Sequence, residues 1–282
     1  MASTRGAIRA ERRRIPRHRT RVEIDATLRE RWTAVGDAHE LELPAGWMQG
    51  RSVFGGLTGA ACVALGARHV SPERVLRTVS TQLIAPVAPG PVRGRAVVVR
   101  EGKGVSFVDV RLSQDERDVA SASMVFVTPR PGSLVVPAAA APDGPGPELL
   151  VDLPYIPGFV PEFTQNVQMR WASGSVPFSG GTSPRFHGYC RFRDRAGDAE
   201  GIVAMLDVWP SPTLGMLTKP AFASTVSWTA HVHHVPRSFD GWFTFEYETV
   251  AGADGFHTVA GRLFAPDGAF AGWTEQLVAL FD

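Results

Sequence analysis

Residues 92–127 read VRGRAVVVR, the turn Glu101-Gly102-Lys103-Gly104, VSFVDVRLS, the turn Gln114-Asp115-Glu116-Arg117 and DVASASMVFV. Apolar and β-branched runs punctuated by short turn-forming stretches predict a three-stranded antiparallel meander. A shift of 151 positions gives FTFEYETVA, the turn Gly252-Ala253-Asp254-Gly255, FHTVAGRLF, the turn Ala265-Pro266-Asp267-Gly268 and AFAGWTEQLV. Arg111-Leu112 then falls on Arg262-Leu263 and Ala120 on Ala271, with no gap across the window. Two turns and three strands in one frame predict an internal duplication.

Working outward, each meander is preceded by one further strand, VLRTVSTQLIAPV in the first half and STVSWTAHVHHV in the second. Ahead of the first lies a helix candidate, Leu57 to His69, opened by Phe54-Gly55-Gly56 and rich in glycine and alanine. It shows almost no polar face, so it must be enclosed by other structure, and its small side chains allow a sheet to approach closely. The second half repeats the order. Its first strand begins near Phe163 with FTQNVQMRW, SPRFHGYCRFRD follows, and GIVAMLDVWP is the second helix candidate, with Asp207 ahead of Pro210 and Pro212. Strand, enclosed small-residue helix, then a run of antiparallel strands is the order of a hotdog fold. The expectation is therefore an α+β tandem (double) hotdog, two antiparallel curved sheets each wrapped around a central helix. Its boundaries are an Arg-rich disordered tail (1–20), an N-terminal hotdog (21–130), a Pro/Ala/Gly-rich linker (131–160) and a C-terminal hotdog (161–282).

Composition narrows the function. With 282 residues and 44% hydrophobic content the chain can build a substantial core, and a net charge of only +1 offers no global field for nucleic acid. Cys62 and Cys190 lie far apart in sequence, which fits a reducing compartment and neither a zinc ribbon nor a disulfide framework. No apolar run is long enough to span a membrane and no secretion signal is evident, so a cytoplasmic protein with no membrane or nucleic-acid partner is expected. Self-association through sheet edges stays open. The nucleophile elbow, the P-loop, the dinucleotide fingerprint and the H-E-x-x-H metal motif are missing.

From about residue 22 to 281 the chain resembles the double-hotdog acyl-CoA thioesterases of the bacterial thioesterase II type. The similarity is carried by Ser52-Val53-Phe54-Gly55-Gly56, LIAPVAPGPV, REGKGVSFVDVRLSQD, LDVWP, STVSWTAHVHH and the terminal TEQLVALF. The resemblance implies hydrolysis of acyl-CoA to free acid and CoA by water attack, with CoA only as part of the substrate and no other cofactor. It also implies an Asp, a Thr or Ser and a Gln from the second half, which correspond here to Asp207, Thr225 and Gln276.

The residues themselves carry a parallel reading. Asp207 follows the apolar stretch Gly201–Leu206, so desolvation there raises its pKa and suits it to act as a base; capping of a short turn is the structural alternative. On the following strand Thr225, Ser227, Thr229, His231 and His233 alternate with Val226, Trp228, Ala230 and Val232, placing Thr225 on a polar face. Ser224 and Thr229 stay open as substitutes, since a slip of one residue flips the face. In the last strand Gln276 and its neighbour Glu275 compete for the same role. Gly55 and Gly56 offer backbone N–H groups at a helix N-terminus to an oxyanion or a pantetheine carbonyl, beside their packing role. His231, His233 and His234 lack an acidic or cysteine partner in sequence, so no metal is expected. The alternatives to hydrolysis are a non-catalytic acyl-CoA-binding protein and an enoyl-thioester hydratase or dehydratase. The latter calls for a His that the stretch 207–219 lacks.

Overall fold

The computed structural model describes residues 23–138 and 140–281. The Arg-rich stretch expected at 1–20 lies outside the described residues. Fourteen strands and three α-helices follow one another among the described residues. The first half contains α1 (Thr27–Glu30), β1 (Thr33–Val35), β2 (Ala38–Leu43), β3 (Met48–Gln49), β4 (Ser52–Val53), α2 (Gly55–Ala67), β5 (Val75–Leu83), β6 (Gly90–Glu101), β7 (Val105–Gln114) and β8 (Arg117–Val127). The second half contains β9 (Val167–Gly174), β10 (Arg185–Phe192), α3 (Asp198–Met205), β11 (Phe222–Val232), β12 (Phe243–Ala253), β13 (Phe256–Phe264) and β14 (Phe270–Phe281). The meander expected at 92–127 is β6–β7–β8, and its counterpart is β12–β13–β14.

Twelve strands form one antiparallel sheet in the order β1-β2-β6-β7-β8-β5-β11-β14-β13-β12-β10-β9. Read inward from either edge, the order is the same in both halves, which meet where β5 pairs with β11. The irregularities repeat too. The ladder shifts between Leu76/Thr78 on β5 and Thr225/Ser227 on β11, between Val98/Arg100 on β6 and Thr249/Ala251 on β12, and between Leu112/Ser113 on β7 and Leu263/Phe264 on β13. Bulges re-aim side chains and are kept as built features of a sheet, so three at corresponding places mark a duplicated scaffold.

The single-frame repeat needs one correction. Val98 pairs with Val108 and Thr249 with Val259, which preserves the shift of 151, but Leu112 pairs with Ala120 whereas Leu263 pairs with Gly272. One extra residue therefore enters the turn before β14, and every inward side chain on that strand is displaced by one from the frame read in sequence.

The helix α2 is buried from Gly55 to Gly66 and lies against β5–β8 and against α3. Its glycines explain how close that packing is. A Cβ on Gly59 would lie 2.6 Å from the Trp228 ring, and one on Gly56 would lie 2.7 Å from the Ala204 carbonyl oxygen. The second helix starts earlier than expected, at Asp198, and ends at Met205, so Asp207 falls just beyond it. The connection from α3 to β11, residues 206–221, is longer than that from α2 to β5, residues 68–74, and contains a 3₁₀ turn over Pro212–Met216 that packs on β12. The stretch expected to open the second half, FTQNV, is mostly a 3₁₀ turn (Glu162–Asn166), and β9 begins at Val167.

Between the halves, part of the Pro/Ala/Gly-rich segment is docked on the second half. The Leu153 N–H donates to the Met169 carbonyl, Asp152 accepts from Arg170 and Gln168, and the Tyr189 hydroxyl donates to the Pro145 carbonyl. Among the described residues no helix is long and apolar enough to cross a membrane.

Candidate active site

Asp207 is placed by the turn that ends α3, its N–H reaching the Ala204 carbonyl at 3.2 Å. Its side chain faces the N-terminus of α2 from the opposite half. Only the missing side chain of Gly55 permits this approach, since a Cβ there would lie 2.7 Å from Asp207 Oδ2. Gln276 Nε2 donates to Asp207 Oδ1 at 2.9 Å, and the Thr225 hydroxyl donates to Gln276 Oε1 at 2.7 Å. The sequence-predicted residues Asp207, Thr225, Gln276, Gly55 and Gly56 thus meet in one place.

Burial pushes the Asp207 carboxyl up to about 7, while hydrogen bonds from Gln276 and from the Gly56 backbone N–H pull the other way. Desolvation wins because an apolar wall cannot replace the hydration of a carboxylate, and two donors restore only part of it. The result is a carboxylate that titrates near neutrality, where a general base works best.

Thr225 reaches Gln276 by a route the sequence did not show. Strict alternation places it on the face opposite Trp228, but the β11 bulge at Thr225/Ser227 admits one extra residue. Thr225 consequently pairs with the buried Val278 and shares the inward face with Trp228 and Gln276. The open alternatives lie outside the Thr225–Gln276–Asp207 hydrogen bonds. Thr229 points the other way, its hydroxyl 3.0 Å from that of Ser80, and Glu275 is exposed while Gln276 is 3% exposed. Ser224 is exposed.

The matched bulges also identify the corresponding positions in the first half. Leu76 precedes the β5 bulge and pairs with Phe126, as Thr225 precedes the β11 bulge and pairs with Val278. Met124 pairs with Val79 and Val108, as Gln276 pairs with Trp228 and Val259. Leucine and methionine carry neither hydroxyl nor amide, so at these two positions the first half lacks the polar groups present in the second.

Tyr247 escaped the sequence reading. It is buried on β12 beside Phe245 and Phe186, and its hydroxyl is held well above the ordinary value first by burial and then by the charge of Asp207. The signal available was the alternation Phe243, Phe245, Tyr247, which marks one inward face. The three histidines stand apart from the site. His231 Nδ1 contacts the Thr78 hydroxyl at 3.1 Å, His233 packs against Phe270, and His234 pairs with Asp267.

This architecture is shared with solved structures of the hotdog class. A hotdog-fold protein from Alicyclobacillus acidocaldarius superposes with a TM-score of 0.79 at 22% identity, covering 89% of this chain and 96% of that one. The tesB protein of Mycobacterium avium subs paratuberculosis gives 0.72 at 18% identity over 91% and 98% of the two chains. The acyl-CoA thioesterase II TesB2 of Mycobacterium marinum gives 0.72 at 15% over 91% and 98%. Residues 43–127 match the acyl-CoA thioesterase N-terminal domain and residues 137–280 the acyl-CoA thioesterase C-terminal domain. The chain belongs to the acyl-CoA thioesterase family. No curated protein matches it.

Proposed function

We propose that this chain is an acyl-CoA thioester hydrolase made of two fused hotdog units, each with its central helix, and that Asp207 is the base. The observation that carries the reading is the continuous chain Thr225–Gln276–Asp207 against the N-terminus of α2. The Thr225 hydroxyl proton is committed to Gln276 Oε1, so its lone pairs are free to accept from a water. Asp207 Oδ2 accepts the other proton of that water, which leaves an oxygen lone pair directed at the thioester carbonyl. As the oxygen–carbon bond forms, the proton passes to Asp207 and the carbonyl oxygen becomes an oxyanion facing the Gly55 N–H at the α2 N-terminus, while the Gly56 N–H stays on Asp207 and fixes the carboxylate. Collapse breaks the carbon–sulfur bond, and the proton on Asp207 is returned to the departing thiolate. No covalent enzyme intermediate is required, and coenzyme A enters only as part of the substrate. Cys62 and Cys190 are both buried free thiols, which supports a reducing, cytoplasmic setting.

The test is release of free thiol from a panel of acyl-CoA chain lengths, wild type against Asp207→Asn. Turnover by the wild type and a loss on the order of 10²- to 10⁴-fold in the variant support the assignment. Tight acyl-CoA binding without thiol release from any chain length would instead identify a binding protein.

A further inference from the structure

A cleft of about 850 Å³ opens at the N-terminal end of α3, away from the groups assigned to hydrolysis, none of which lines it. It lies between the β10–α3 connection and the β11–β12 connection. In the first half the corresponding connections are zipped together: the Val53 N–H donates to the Val87 carbonyl at 2.7 Å, and the Val87 N–H to Ser52 Oγ at 3.0 Å. The open cleft is thus a feature of the second half.

Its lining is chemically sorted. Arg191, Arg193, Arg195 and Arg237 contribute four guanidinium groups and Asp25, Asp194, Asp198 and Asp240 four carboxylates. Three of the carboxylates are committed to the protein. Asp25 is 1% exposed and lies 2.8 Å from Arg195 Nε, in an approach that pairs the charges without a directed hydrogen bond. Asp198 accepts from the Ala26 N–H and Asp240 from the Ser238 hydroxyl. Asp194 is engaged as well. On the cationic side, Arg191 donates through Nε to Gln168 and lies 4.3 Å over the Trp242 ring, which fixes its orientation and leaves its terminal N–H groups without a hydrogen-bond partner among the described residues. Among the described residues neither Arg193 nor Arg237 makes a side-chain hydrogen bond or a close ion pair, and the charge of Arg193 acts on Asp152 only at longer range. Beside them Phe192 and Phe239 supply partly buried rings, the first packed on Trp47 and the second on Phe243. Uncommitted arginines next to anchored flat apolar walls suit a ligand with phosphates at one end and a stacking ring at the other.

We propose that this cleft binds a phosphorylated nucleotide, as a second ligand site separate from the Asp207 centre and independent of the reaction assigned there. The phosphates sit against Arg191, Arg193 and Arg237, and the base against Phe192 and Phe239. The same chemistry is offered by the adenosine end of free coenzyme A and by ADP or ATP. Each is therefore titrated separately into the full chain by calorimetry, alongside adenosine 3′,5′-bisphosphate and inorganic phosphate. At least one of these nucleotides should bind more tightly than inorganic phosphate, and that binding should weaken at high salt. Arg193→Gln with Arg237→Gln should weaken it by about tenfold or more, the loss expected when charge-assisted hydrogen bonds are removed. Phe239→Ala should weaken nucleotide but not phosphate, and melting curves of each variant report whether the fold survives. The acyl-CoA KM should stay at the wild-type value in the double arginine variant. A KM that rises in parallel would make the cleft part of the substrate's own path and overturn the separate site. Equal affinity for phosphate and nucleotide, or nucleotide binding unchanged in a folded double variant, overturns the proposal, and so does the absence of binding by every probe.

Discussion

At Asp207 the sequence, the local structure and the chemistry can be separated by pH. The carboxyl titrates at about 7 in the folded chain against an ordinary 3.8. Between those values the native state keeps a proton that the unfolded chain has released, so stability falls as pH rises through this window, and the full penalty is present above about pH 7. Asp207→Asn carries no such penalty. Its melting temperature relative to wild type should therefore climb between about pH 4 and pH 8, following roughly 1.4 kcal/mol per pKa unit. Wild-type turnover should rise through about pH 7 as the basic form appears, and that rise should vanish in the residual activity of the variant. A melting difference that does not change with pH would mean the carboxyl titrates normally. Gly55 offers a complementary test. Adding a methyl group 2.7 Å from Asp207 Oδ2 forces the carboxylate away from Gln276, so Gly55→Ala should lower kcat by more than its melting temperature explains.

At the scale of elements, the helix crossing decides how well the site is aligned. The glycines of α2 let it settle on Trp228, whose Nε1 donates to the buried Thr274 hydroxyl at 2.7 Å and so cannot easily yield. Gly59→Ala should cost about 1–3 kcal/mol through overpacking and also lower turnover, because lifting α2 moves Gly55 away from Asp207. Denaturant midpoints and kcat measured on the same preparation check both effects, and a change in one alone would show that the crossing and the site are uncoupled. The small-residue run of α2 and the meander turns were legible in sequence, since each is a local pattern with a direct physical meaning. Thr225 and Gln276 were legible as residues but not as neighbours. The bulge that turns Thr225 inward and the extra residue before β14 are register events, set by pairing between strands distant in the chain. Asp207 could be picked out by its apolar approach, whereas the longer 206–221 connection that carries it has no counterpart in the first half.

For the whole molecule, the decisive feature of the proposed site is that it draws on both halves. Gly55 and Gly56 come from the first half and Asp207, Thr225 and Gln276 from the second, while the first-half counterparts of the last two are Leu76 and Met124. The halves are held together by the β5–β11 ladder, by hydroxyl contacts such as Ser80–Thr229, and by Arg29 gripping the fully buried Glu200 through two hydrogen bonds. A buried carboxylate that loses its charged partner is costly, so opening the junction at α3 is strongly opposed. The two halves should consequently unfold together. Tryptophans report on both, with Trp32 and Trp47 in the first and Trp171, Trp209, Trp228, Trp242 and Trp273 in the second. Fluorescence, far-ultraviolet dichroism and turnover followed across a urea titration should share one midpoint. Arg29→Ala, which strands Glu200, should shift that midpoint down by about 3 kcal/mol or more in stability without splitting the transition. A wild-type curve in which turnover disappears before the fluorescence change begins would show that the junction opens first, and would sink the account of the two halves as one cooperative unit.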